Sequence, residues 1–251
     1  MRREEVVHTC RWPSAGPLAS ITAMSSVPAL VAGVLGLAAG LPGAALVRRH
    51  CRDRETPQPG AWLLPALALT LAVLWAALTL RLWPAHRAAL PAYVAFGFAC
   101  AVLTVIDART KLLPNRLTYP AFALVAVLLL LASLVEGDPG RMVRALEAAA
   151  VMGLVFLALA LVVPRGLGLG DVKFAPTLGL ALGWLSWGTV SVGFVAAFLI
   201  GGLVAVAALL VLRLGRGARL PFGPWMAAGA LLAVLAGGQI ATWYGHALLG
   251  T

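Results

Sequence analysis

Nine of the 251 residues are acidic, so each can be weighed as a candidate for chemistry. Glu4 and Glu5 lie in the amino-terminal tail, Asp53 and Glu55 in one polar segment, and Glu136 and Asp138 in another. Glu147 falls near a helix start, where a carboxylate suits the helix dipole. Asp107 and Asp171 differ from these, because each is pressed against apolar sequence. Asp107 ends the run Ala101-Val102-Leu103-Thr104-Val105-Ile106, and Asp171 follows Gly166-Leu167-Gly168-Leu169-Gly170. Taken singly, each could be a loop residue paired with a nearby base such as Arg109 or Lys173. Arginine occurs 17 times but lysine only twice, at Lys111 and Lys173, each a few residues after one of these acids. An ammonium on a flexible stem is not equivalent to a guanidinium. The two lysines are therefore candidates to orient a substrate or tune an acid, with coincidence as the alternative. Gly168 and Gly170 permit close approach of another chain. They fit a strand-like peptide lying beside the acids, or a tight loop entering a helix.

Two carboxylates brought close cannot both ionise, so they share a proton. The ionised member can take a proton from water while the protonated one polarises a peptide carbonyl, and the roles reverse as the amine leaves. Such chemistry calls for no metal and no cofactor. Other hydrolytic or metal motifs are missing from the sequence. Cys10, Cys51 and Cys100 form no CxxC pair, the four histidines form no HExxH, and there is no GxSxG.

The elements that must position these acids are membrane helices. Apolar residues make up 61% of the chain and charged ones 11%, against about 25% charged in a soluble domain. A water-soluble globule and a disordered chain are both excluded, which leaves an all-α polytopic membrane bundle. Eight segments fit: 25–47, 61–80, 89–106, 117–135, 145–163, 174–187, 189–212 and 222–246. If Trp184-Leu185-Ser186-Trp187 is only a kink, there are seven. Gly36/Gly40 and Gly179/Gly183 have the small-residue spacing that lets helices pack closely.

With the amino end outside, 12 of the 19 basic residues fall on inner segments, as the positive-inside rule requires. Translation from Met24 sharpens the bias, and residues 1–24 read as a dispensable polar extension. Both Asp107 and Asp171 then lie at the cytoplasmic ends of helices, at similar depth. Acids at membrane depth are costly and are functional candidates. The net charge of +10 reads as attraction to anionic lipid, with no aromatic-basic interleaving to suggest nucleic acid.

Ile106-Asp107-Ala108-Arg109-Thr110-Lys111-Leu112-Leu113-Pro114-Asn115-Arg116-Leu117-Thr118 resembles the first signature of bacterial prepilin peptidases (type 4 leader peptidases). Gly168-Leu169-Gly170-Asp171-Val172-Lys173-Phe174 resembles their GxGD signature, with Phe174 in place of the usual Leu. Pro221-Phe222-Gly223-Pro224 is similar to the motif opening the family's last helix. The resemblance covers roughly residues 95–245. It implies a membrane aspartic endopeptidase that cuts the leader from prepilin or pseudopilin precursors at the cytoplasmic face of the inner membrane. Asp107 and Asp171 would be its catalytic pair. Gly168, Gly170, Lys111 and Lys173 would bind substrate.

The resemblance divides the chain into the extension 1–24, an amino-terminal membrane region 25–94 and a peptidase core 95–251. Bifunctional members carry a cytoplasmic cysteine-pair domain where this chain has only the short polar segment 48–60, with a single Cys51. Methyl transfer is therefore not expected. Two rival classes remain open at this point: a proton- or cation-coupled transporter, and a non-catalytic component of pilus or secretion assembly.

Overall fold

The computed structural model describes residues 18–54, 56–162, 168–211 and 221–249, with side chains omitted at 18–24, 209, 211, 241 and 244–249. Most of the expected polar extension, and the basic residues Arg165, Arg213, Arg216 and Arg219, lie outside the described residues. Eight α-helices follow in order: α1 Leu18–Asp53, α2 Leu63–Leu82, α3 Leu90–Thr110, α4 Asn115–Val135, α5 Pro139–Val162, α6 Leu169–Leu185, α7 Trp187–Val211 and α8 Gly223–Leu249. A single 3₁₀ turn, Arg87–Ala89, precedes α3. There is no strand among the described residues. Seven of the helices are long and apolar enough to cross a membrane. The exception is α6, whose 17 residues rise about 25 Å.

The helix ends follow local chemistry. Gly137, at φ +69°, ends α4 in a Schellman turn, with Gly137 N donating to Leu134 O and Asp138 N to Ser133 O. Ser186 adopts an extended backbone between α6 and α7, and its Oγ accepts the Thr189 N–H at 3.0 Å as an N-cap. The Trp184–Trp187 segment is therefore a true break, and the described residues hold eight helices, of which seven can span a membrane. Two helices run past their apolar stretches. Arg48, Arg49 and Arg52 belong to the last turns of α1, and Arg141 and Arg144 to the first turns of α5, not to loops.

The bundle is built from the antiparallel hairpins α1/α2, α5/α6 and α7/α8. Gly36 and Gly40 of α1 abut Leu71, Ala72 and Ala68 of α2, while Gly179 and Gly183 of α6 abut Ala145, Ala148 and Ala149 of α5. A Cβ at any of these four positions collides with the opposing helix. At the centre stands α3, whose apolar window is 61% buried against 44% or less in the other six long helices. Tyr93, Phe96, Cys100 and Leu103 of α3 join the main core with residues of α2, α4, α5, α6 and α8. Leucine and valine side chains stand exposed along α1, α4, α5 and α7, the surface expected of helices facing lipid.

Candidate active site

Asp107 lies one turn before the end of α3. The helix stops at Lys111, a non-glycine residue at φ +53°, whose N–H donates to Asp107 O at 2.7 Å. The chain then turns through buried Leu113 to Pro114, whose carbonyl accepts from Leu117 N, Thr118 N and Thr118 Oγ at the start of α4. Asp171 sits in the first turn of α6, where Gly168 N donates to its Oδ2 at 3.1 Å. This is the reach-back half of a capping box, so Asp171 also serves to start its helix.

Both acids are buried, Asp107 at 4% and Asp171 at 6% exposure. No ion pair reaches either one among the described residues. Their hydrogen bonds come from backbone alone, and in each case to Oδ2. Asp107 Oδ2 accepts from Gly223 N at 3.1 Å, across 116 residues of sequence. Each carboxyl therefore faces the amino terminus of a helix, α8 for Asp107 and α6 for Asp171, where the dipole offsets part of the cost of a buried charge. No hydrogen bond reaches either Oδ1 atom among the described residues.

Several contacts hold this end together. A Cβ on Gly170 would lie 3.0 Å from Leu113 Cβ, so the turn after α3 seats on the start of α6. The space that the sequence reserves at Gly170 is thus filled partly by Leu113 of the same chain. Lys173 Nζ donates to Asn115 Oδ1 at 3.0 Å, tying α6 to α4. Lys111 is exposed and makes no such tie. Gly223 is a residue whose part sequence reasoning did not assign. Its N–H reaches Asp107 because it has no side chain, and a Cβ there would stand 2.6 Å from Asp107 Oδ2. The sequence signal was available, since a glycine followed by proline opens α8 with a free N–H. Phe222 fixes that opening by stacking among Phe156 and Phe198, its ring 5.1 Å from that of Phe198. Among the described residues no group of three His, Cys, Asp or Glu is placed to hold a metal ion.

The opposite end of the bundle carries a second polar cluster. Arg141 pairs with Asp138 at 2.9 Å and with Glu136 at 3.4 Å, and its Nη1 donates to His86 Nδ1 at 2.9 Å. His86 is thus neutral, with its proton on Nε2. Burial, followed by the charge of Arg141, holds its pKa below the ordinary histidine value, while Glu136 opposes them. Arg144 donates to the carbonyls of Gly183, Trp184 and Leu185, the last carbonyls of α6.

Comparisons with known proteins give the family. A model of the Type IV leader peptidase family matches residues 94–207, from within α3 to within α7. A prepilin leader peptidase/N-methyltransferase of Bacillus subtilis is 32% identical over 197 residues, covering 76% of this chain and 73% of the relative. One from Aeromonas hydrophila is 28% identical over 200 residues, 79% of this chain and 66% of the relative. Leader peptidase HopD of Salmonella typhimurium is 33% identical over 146 residues, 57% of this chain but 92% of its own length. No solved structure matches. The matched family region takes in Asp107, Gly168, Gly170 and Asp171, while Gly223 lies beyond it, and the chain belongs to the prepilin leader peptidase family.

Proposed function

We propose that this chain is an aspartic endopeptidase of the cytoplasmic membrane that removes the leader from prepilin or pseudopilin precursors. The observation that carries the reading is the pair of buried acids at one end, each held through Oδ2 by a backbone N–H and neither neutralised by a cation. In this mechanism Asp107 and Asp171 share one proton. The ionised carboxylate takes a proton from water, and the water oxygen bonds to the scissile carbonyl carbon. The protonated partner donates to the carbonyl oxygen. One acid then gives its proton to the amide nitrogen as the C–N bond breaks, while the other takes a hydroxyl proton from the tetrahedral gem-diol as the carbonyl re-forms, which restores the shared-proton state. The held Oδ2 atoms fix the carboxyl planes, and the Oδ1 atoms do the proton transfer.

Gly168 and Gly170 admit the substrate backbone beside the acids. Lys173, at the start of α6, and Lys111, just after α3, orient it. The precursor's own apolar helix docks laterally between membrane helices. The aspartate end faces the cytoplasm, because the larger share of basic residues lies there. Residues 95–251 form the peptidase core, and residues 25–94 support it. Methyl transfer is not part of the activity. Cys51, the one cysteine of segment 48–60, is buried within α1 and its immediate packing.

The test is co-expression with candidate precursors, reading leader loss by mass. Asp107→Asn and Asp171→Asn each abolish processing while the protein remains membrane-inserted. Substantial processing by either variant contradicts the dyad. Transfer of a methyl group from S-adenosylmethionine to a cleaved product contradicts the single-activity reading.

A further inference from the structure

At the aspartate end the last turn of α1, the turn before α4 and the start of α6 enclose a cavity of about 690 Å³. Arg49, Arg54, Arg116 and Lys173 line it against one carboxylate, Asp53. Among the described residues none of the four cations is ion-paired, since every described ion pair lies at the opposite end. His50 also lines the cavity, and its Nε2 is buried with no hydrogen-bond partner. A second hollow of about 500 Å³ runs along α1, α3 and α4. No charged residue lines it, and its walls include Trp75, Phe98, Leu103 and Leu124. Leu46 and Leu117 line both spaces, so the cationic cavity and the apolar groove adjoin at these two side chains.

We propose that the two hollows form one binding site for an anionic phospholipid. The headgroup phosphate lies among Arg49, Arg54, Arg116 and Lys173, and an acyl chain lies in the groove past Leu46 and Leu117. Guanidinium groups match phosphate oxygens bidentately, and basic pockets between membrane helices at the bilayer surface suit such headgroups. Four unpaired cations against one carboxylate need more negative charge than one carboxylate of a peptide supplies. The groove offers apolar contact alone. A phospholipid combines both features and is present at this depth at all times. The inference rests on the membrane fold and not on the peptidase reading.

Native mass spectrometry of the full chain released from nanodiscs provides the test. One nanodisc preparation contains phosphatidylcholine alone, and the other mixes it with phosphatidylglycerol. The protein retains phosphatidylglycerol in preference to phosphatidylcholine. Arg49→Gln with Arg116→Gln lowers that retention at least tenfold. Arg48→Gln with Arg52→Gln, which removes the same charge from exposed positions outside the cavity, leaves it unchanged. Inorganic phosphate at millimolar concentration fails to displace the lipid, because the groove holds the chain. Equal loss in both double variants indicates a diffuse charge effect and overturns the proposal. Displacement by inorganic phosphate identifies a free-phosphate site and overturns it as well. Unchanged lipid retention with weakened capture of a precursor assigns the cavity to the polypeptide instead. Asp107→Asn retains lipid like the parent protein, so this result stands or falls apart from any result on cleavage.

Discussion

At the end where α4 meets α5, Glu136, Asp138, Arg141 and Arg144 have found partners. Glu136 and Asp138 share Arg141, Arg141 also serves His86, and Arg144 satisfies three carbonyls of α6. At the end where α3 meets α6 and α8, the same groups stand apart. Asp107 and Asp171 are buried with backbone donors only, while Arg49, Arg54, Arg116 and Lys173 surround an open cavity. Local pairing of these charges was open to the sequence, as the opposite end demonstrates. Keeping acids and bases apart costs stability and leaves both free to act on something else. On the proposed reading, one end is organised for cohesion and the other for chemistry.

Substitutions at matched positions should separate those roles. The largest effect is expected at the acids. On the dyad reading, Asp107→Asn or Asp171→Asn removes a group that handles the proton, and cleavage is expected to fall by about 10³-fold or more. Thermal unfolding in detergent stays the same or moves upward, because a buried charge has gone. Gly223→Ala comes next. Its Cβ would stand 2.6 Å from Asp107 Oδ2, so the carboxyl must move. We expect kcat/KM to fall about 10- to 100-fold, with the aromatic packing of Phe222 keeping α8 in place.

At the opposite end the ranking inverts. Arg144→Met leaves the carbonyls of Gly183, Trp184 and Leu185 without their donor and costs about 2–3 kcal/mol of stability. Cleavage per folded molecule stays within about twofold. A catalytic loss there comparable to that of Gly223→Ala breaks the comparison.

The smallest effect is acid sensitivity. The His86 pKa is lower in the folded protein than in the unfolded chain, so the unfolded chain binds more protons in acid. Stability is complete above about pH 6.5, falls as the pH drops below that value, and levels off below the folded pKa. His86→Gln flattens the curve. The emission of Trp184, whose ring lies 5.4 Å from that of His86, reports it.

The apolar runs made most of the helices legible, since a chain this poor in charge has few other ways to bury itself. Asp107 and Asp171 stood out for the same reason, as rare acids inside apolar sequence. Helix ends were less legible where the helix outlasts its apolar run. Arg141 and Arg144 look like loop residues in sequence, yet α5 carries both because Pro139 starts the helix and their partners lie across the bundle. The break at Ser186 rests on one hydroxyl acting as a cap in otherwise uniform sequence. A linear reading marks Gly223 as a free N–H at a helix start, but that it meets Asp107, and that Arg49 and Arg116 share a cavity, depends on helix packing.

The most direct measurement is cleavage of one purified precursor by Asp107→Asn, Asp171→Asn and the double variant, compared at equal folded concentration. Two acids acting as one unit predict that each single variant is as inactive as the double. A single variant retaining activity within tenfold of the parent, or a double variant whose loss is the product of two modest losses, contradicts the account.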